Sequence, residues 1–301
     1  MRFQCIFLLL GALTALSLPA QTYNYRNGDV NCDGKVNISD VSALIEIVLN
    51  DNPTVVAPND LVTLSVLVDD VRFEMVYVEP GTFIMGASDN DTVAADREHP
   101  AHEVTLAGYH IGTTEVTQQL WITIMGDNPS DFTDNLQRPV DYVSWEECQE
   151  FISKLNAKTG LNFRLPTEAE WEFAARGGNR SNGYTYSGSN DVTEVAWYCE
   201  NSYNQGMDSP DFGPHPVGVL KPNELGLFDM SGNVMEWCQD NYALYGPEAQ
   251  TNPTGPTNGY YKVTRGGSWG GDASACRVTY RGSGTAPSGK NHYRGLRLVL
   301  Q

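Results

Sequence analysis

The chain has 301 residues with nineteen Lys and Arg against 37 Asp and Glu, a net charge of −18. So acidic a chain has no surplus of cations to neutralise a run of phosphates, which excludes nucleic acid as a partner. It fits an acidic exported protein or one whose oxygens hold calcium, and simple solubility is the alternative that needs no ligand.

Residues 1–20 read as a signal peptide: Arg2 supplies the charge, Ile6 to Leu18 the apolar run, and Ala20 a small residue before Gln21. The run is short for a membrane span and no second long one follows, so the mature chain is expected to be secreted or held at the cell surface. Cys5 lies ahead of the apolar run, which does not suit a lipid anchor at the cleavage point. Removing it leaves Cys32, Cys148, Cys199, Cys238 and Cys276, an odd number, so a monomer keeps at least one unpaired thiol.

Residues 24–50 carry a sharp local motif. Asp29, Asn31, Asp33, Asn37 and Asp40 place oxygen side chains at positions 1, 3, 5, 9 and 12 of a loop. Gly34 provides the sharp turn at position 6, and Lys35 would offer its carbonyl at position 7. Val41, Leu44, Ile45 and Val48 then share one face of a helix. Calcium binding is the expected function, with a solvated Asp/Asn loop as the alternative. This EF-hand-like segment resembles one half of a type I dockerin, which implies docking to a cohesin-like partner; dockerins generally carry two copies, and here one is found. Residues 51–60, with Pro53 and Pro58, read as a linker.

From 61 to 301 the pattern is one of short strands and scattered glycines. Strands are expected over 61–71 and 74–79, followed by a Pro80-Gly81 turn. Three helices are marked: one after Thr117 stopping at Gly126, one behind the capping box Ser144–Glu147, and one behind Thr167–Glu170 ending at Gly177-Gly178. Trp145, Cys148, Ile152 and Leu155 fall on one helical face, which makes Cys148 a core residue. The class is α+β with few helices, short strands and long loops.

Ordered motifs then give a family. Met75–Gly86, Glu115–Thr117, Arg164–Ala174, Gly226–Trp237, Arg265–Trp269 and Gly295–Arg297 resemble, in that order, the motifs of the formylglycine-generating, or sulfatase-modifying factor, family. The resemblance covers about residues 72–301 and implies a C-type-lectin-like fold. Enzymes of that family oxidise a substrate cysteine with oxygen, using two cysteines that hold copper(I). Their positions fall here at Gly271 and Cys276. One thiolate does not make a two-coordinate copper site, so copper is not expected, and Cys276 is catalytic only if the chain is an oxidase after all.

The resemblance also implies calcium at Asp229 and Glu236 side chains with Gly232 and Val234 carbonyls, and a further ion at Asn201, whose partner carboxylate would be Asp208 or Asp211. The alternative for the former is a turn capped by its own Asp and Asn. His99 and His102 invite a metal reading but also match an ordinary strand entry of the family. In the tail, Arg265, Arg277, Arg281, Lys290, Arg294 and Arg297 interleave with Trp269, Tyr280, His292 and Tyr293. Trp269, Asp272, Tyr280, Arg281, His292 and Tyr293 are therefore candidate ligand contacts for an anionic or carbohydrate ligand. Internal ion pairing is the alternative. Three functions stand: an exported, calcium-binding ligand or scaffold module for a glycan, peptide or cell-surface protein; an oxygen-dependent oxidase acting on cysteine; and a purely structural subunit.

Overall fold

The computed structural model describes residues 61–300. The signal peptide, the calcium loop and helix of 24–50 and the linker of 51–60 lie outside the described residues.

The two expected strands form, with the turn earlier than expected, at Asp69-Asp70: Thr63–Val68 and Val71–Val78 make an antiparallel hairpin, with Asp69 in the left-handed conformation (φ 51°). A short polar side chain tolerates that geometry, which is why the chain can turn there. Tyr109–Gly112 pairs with the second strand, and Val299–Leu300 pairs on one side with Tyr109–Gly112 and on the other with Phe163–Arg164. The result is a five-stranded sheet. Two three-stranded sheets are interleaved with it in sequence: Gln250–Thr251, His102–Leu106 and Gly81–Met85 in one, Lys262–Arg265, Met235–Asn241 and Arg294–Gly295 in the other. Ala196–Trp197 pairs in parallel with Ser231–Gly232.

The helices start where their caps place them. In α1, Gln118–Met125, the Thr117 hydroxyl accepts from the Leu120 N–H, and Gly126 ends the helix at φ 88°. In α2, Trp145–Thr159, Ser144 and Glu147 cap one another and Gly160 closes the helix. In α3, Glu168–Ala175, Thr167 and Glu170 do the same, and every residue is buried. Each reciprocal cap satisfies two backbone donors that helix geometry leaves free.

The pleat sends alternate residues of Val71–Val78 to different cores. Val76 and Val78 join Ile111, Trp171 and Phe173, whereas Met75 joins Trp121, Phe151, Trp237 and Leu298. Trp121 and Phe151 stack at 4.9 Å, locking α1 to α2. Cys148 is fully buried in this second core, as its place on α2 predicts. No helix among the described residues is long and apolar enough to cross a membrane.

Candidate functional site

The basic tail is the first feature that the fold redistributes. Arg281 is buried and meets Glu168 with two bonds of 2.7 Å. Arg265 is buried against Glu172, and Arg277 reaches Glu98 at 2.9 and 3.0 Å. Arg297 holds Glu236 at 2.7 Å. Burial alone would lower the pKa of Arg265, Arg281 and Arg297, but the adjoining carboxylates outweigh it and raise all three. These guanidinium groups are internal counter-ions. Of the expected basic wall only Lys290 is exposed, paired with Glu147 and 5.6 Å from the centre of the Tyr142 ring; Arg294 is half-buried against Trp237, Arg281 is buried, and Tyr280 is half-buried near Arg97.

The aromatic residues, by contrast, come together. Trp269 is 2% exposed and forms a floor, its indole N–H donated to the His292 carbonyl at 2.8 Å. Around it stand Tyr293 at 5.0 Å, Phe212 at 5.2 Å, Phe132 at 5.5 Å and Tyr203 at 5.8 Å between ring centres. His292 continues the strip, stacked with Tyr142 at 5.4 Å and paired with Asp131. Tyr203 is 47% exposed and Tyr142 36%. Tyr142 also sits at φ 58°, a conformation that a bulky side chain rarely adopts. Strain of this kind persists where the surroundings hold it, and it gathers at binding sites. The exposed carboxylates next along the chain from these rings are Asp131, Asp211 and, across the turn, Asp272. Phe132, Tyr142, Tyr203 and Phe212 come from loops far from the tail, and nothing in their spacing marks them.

Cys276 is buried, and burial followed by the neighbouring Cys199 sulfur pushes its thiol up to about 12. The Cys199 N–H donates to the Gly271 carbonyl at 2.9 Å. This second cysteine, distant in sequence, is the neighbour that sequence spacing missed.

At the expected calcium loop, Asp229 and Glu236 lie in one buried acidic region with Glu115. One Asp229 oxygen accepts from Gly218 and the other is buried with no hydrogen-bond partner; burial pushes Asp229 up to about 6. Glu236 is already engaged: Arg297 and the Trp171 indole N–H occupy both of its oxygens. Val234 gives its N–H to Glu115, and Gly232 turns at φ 85° with its N–H on the Gly266 carbonyl. The donors fit calcium at Asp229 and do not fit at Glu236, where a guanidinium supplies the positive charge, so the set does not make a calcium site as it stands. Asn201 spends its amide on the Tyr198 N–H and the Ala196 carbonyl, capping its own turn. His102 packs on Tyr245 and shares a ring nitrogen with the Pro100 carbonyl, and no cluster of three or more metal-ligating side chains occurs among the described residues.

With this geometry in place, comparison with known proteins gives the family. The model of the sulfatase-modifying factor enzyme 1-like domain matches residues 69–301. The chain belongs to the sulfatase-modifying factor family. Chaperone protein LppX of Paenibacillus barcinonensis is 33% identical over 271 residues, covering 76% of this chain and 90% of that protein. Formylglycine-generating enzyme of Thermomonospora curvata is 28% identical, covering 72% and 90%. Among solved structures, Treponema denticola variable protein 1 superposes with a TM-score of 0.71 at 32% identity, covering 79% of this chain and 99% of that one. PvdO of Pseudomonas aeruginosa gives 0.63 at 26%, covering 76% and 94%. Family members thus include proteins named as enzymes and one named as a chaperone, and membership alone does not assign activity.

Proposed function

We propose that this protein is an exported ligand-binding module of the sulfatase-modifying factor family, without formylglycine-generating activity. The observation that carries the reading is the aromatic strip of Phe132, Tyr142, Tyr203, Phe212, His292 and Tyr293 over the Trp269 floor. With Arg265, Arg277, Arg281 and Arg297 withdrawn into ion pairs and Lys290 paired with Glu147, the strip offers mainly rings and carboxylates, which suits a neutral sugar ring or a basic peptide better than an anion. Export through the signal peptide, calcium in the Asp29–Asp40 loop and docking of that segment to a cohesin-like or cell-surface protein complete the proposal.

The test is binding of the purified mature chain to a glycan array and to a panel of Lys/Arg-containing peptides. A Tyr203→Ala/Tyr293→Ala variant serves as comparison. Retention by one panel, lost in the variant, supports the reading; binding that survives the variant, or none on either panel, sinks it.

One observation favours the alternative of an oxidase acting on a substrate cysteine: Cys199 approaches the position that Gly271 leaves without a thiol. Burial raises both thiols, the reverse of what a soft-metal thiolate pair requires. Incubation of a cysteine-containing sulfatase-type peptide with the protein, copper(I) and oxygen decides it. Aldehyde formation, lost in Cys276→Ser, would make the chain an enzyme.

A further inference from the structure

Cys199 and Cys276 take no part in ligand binding as described, yet the fold brings them to one place. Cys276 closes the short turn Ala273–Cys276, which starts from Asp272. Its sulfur lies 3.8 Å from the Asp272 carbonyl. Cys199 follows the strand Ala196–Trp197, and its sulfur lies 3.5 Å from the Asp272 carboxylate. Both side chains pack in one small cluster with Ala196, Tyr198, Tyr186 and Ala273. Cys199 is half-buried and Cys276 fully buried. Cys148 and Cys238 belong to the two large cores instead. The arrangement is that of an accessible thiol with a shielded thiol behind it.

We propose that Cys199 and Cys276 form a dithiol–disulfide pair that small-molecule disulfides oxidise in two steps. The Cys199 thiolate attacks one sulfur of glutathione disulfide, and the first glutathione leaves as a thiolate that takes up a proton. The Cys276 thiolate then attacks the Cys199 sulfur of the mixed disulfide and expels the second glutathione. Two protein thiols lose two electrons and two protons, and glutathione disulfide gains them as two thiols. Cys199 attacks because it is reachable, and Cys276 resolves because it is not. The bond would tie the turn that carries Tyr203 to the loop that carries Trp269, fixing two sides of the aromatic strip. That last consequence rests on the binding reading; the bond itself does not.

The pair is tested on the full chain equilibrated with glutathione disulfide, quenched with N-ethylmaleimide and mapped by mass spectrometry. The expected product is a linked peptide pair containing residues 199 and 276, two hydrogens lighter than the dithiol, with Cys148 and Cys238 alkylated only after denaturation. Cys276→Ser should halt at a glutathione adduct on Cys199, and Cys199→Ser, at the more exposed position, should leave Cys276 unmodified. Oxidation should quicken about tenfold from pH 7 to pH 8, because only the thiolate reacts. A lasting glutathione adduct on Cys199 of the unsubstituted chain, or a link from Cys199 to Cys32, would overturn the pairing. Either result is read without any ligand, so it leaves the binding proposal to its own test.

Discussion

Arg281 and Glu168 meet as a two-pronged ion pair beneath the surface, Nε to Oε1 and Nη2 to Oε2, each at 2.7 Å. The guanidinium also donates to the Arg97 and Ala243 carbonyls and lies 3.9 Å from the centre of the Tyr245 ring. Removing it would take away both short bonds to the buried Glu168 and leave Arg265, 3.5 Å away, as its nearest cation. Arg281→Ala should lower unfolding free energy by about 3–5 kcal/mol in urea titrations. At a temperature where the variant is folded, its ligand affinity should match that of the unsubstituted chain.

Tyr142 gives the opposite separation. Its left-handed backbone is unfavourable for an aromatic residue by about 1–3 kcal/mol, and glycine adopts it freely. Tyr142→Gly should therefore hold or raise the melting temperature while weakening binding to whichever panel retains the protein. A variant that loses stability and keeps affinity would show that the ring is held there for packing.

Asp240 sets a pH dependence. Burial, then the nearby Glu168 charge, pushes it up to about 7, well above an unfolded carboxylate near 4. The native state thus binds a proton that the unfolded state releases, so the stability due to this group is present below about pH 4 and lost as pH rises to 7. Asp141 is pushed up to about 7 by burial and acts in the same direction. Thermal melts should show lower stability at pH 8 than at pH 5.5. Asp240→Asn should flatten that slope by an amount on the order of 1–3 kcal/mol.

Calcium titration by calorimetry should give one site per chain. Asp33→Ala in the Asp29–Asp40 loop should abolish it, and Asp229→Asn should not, because Arg297 already compensates Glu236. Loss of the heat in Asp229→Asn would place an ion at the 229–236 loop and show that Arg297 yields to it.

Gly271 can accept a side chain. A Cβ there would meet the Ser268 backbone and hydroxyl at 3.4 to 3.5 Å, ordinary contact, whereas at Gly232 it would lie 2.3 Å from the Trp197 carbonyl oxygen at φ 85°. Gly271→Cys should fold with stability within about 1 kcal/mol of the parent, and Gly232→Ala should lose several times that. The comparison, read by chemical denaturation, shows whether the absent thiol is a matter of space or of function.

Helix starts, the core role of Cys148 and the family were legible because each is written in local spacing: a hydroxyl three residues before a carboxylate, an apolar face, an ordered set of motifs. The two hairpin strands were legible as two, but the turn between them was not, since Asp69-Asp70 reads as strand until the left-handed turn is seen. In the tail, the interleaved arginines and aromatics look alike along the chain. What divides them is the set of partners, and Glu98, Glu168, Glu172 and Glu236 sit far away in sequence. Phe132, Tyr203, Phe212 and Cys199 escaped for the same reason: long loops set their neighbours, and loops have no periodicity to read. The carboxylates at 229 and 236 were singled out in the sequence as calcium ligands; the pairing of Glu236 with Arg297 was not.

Val299 pairs with Ile111 on one side and Arg164 on the other, so a late strand fills the interior of a sheet begun by early ones. Until residues 299–300 emerge, Tyr109–Gly112 and Phe163–Arg164 have open edges and nothing between them. Such long-range closure gives a high contact order and slow folding. It also means that a chain still being synthesised cannot complete its central sheet, so closure of the fold waits on its last strand.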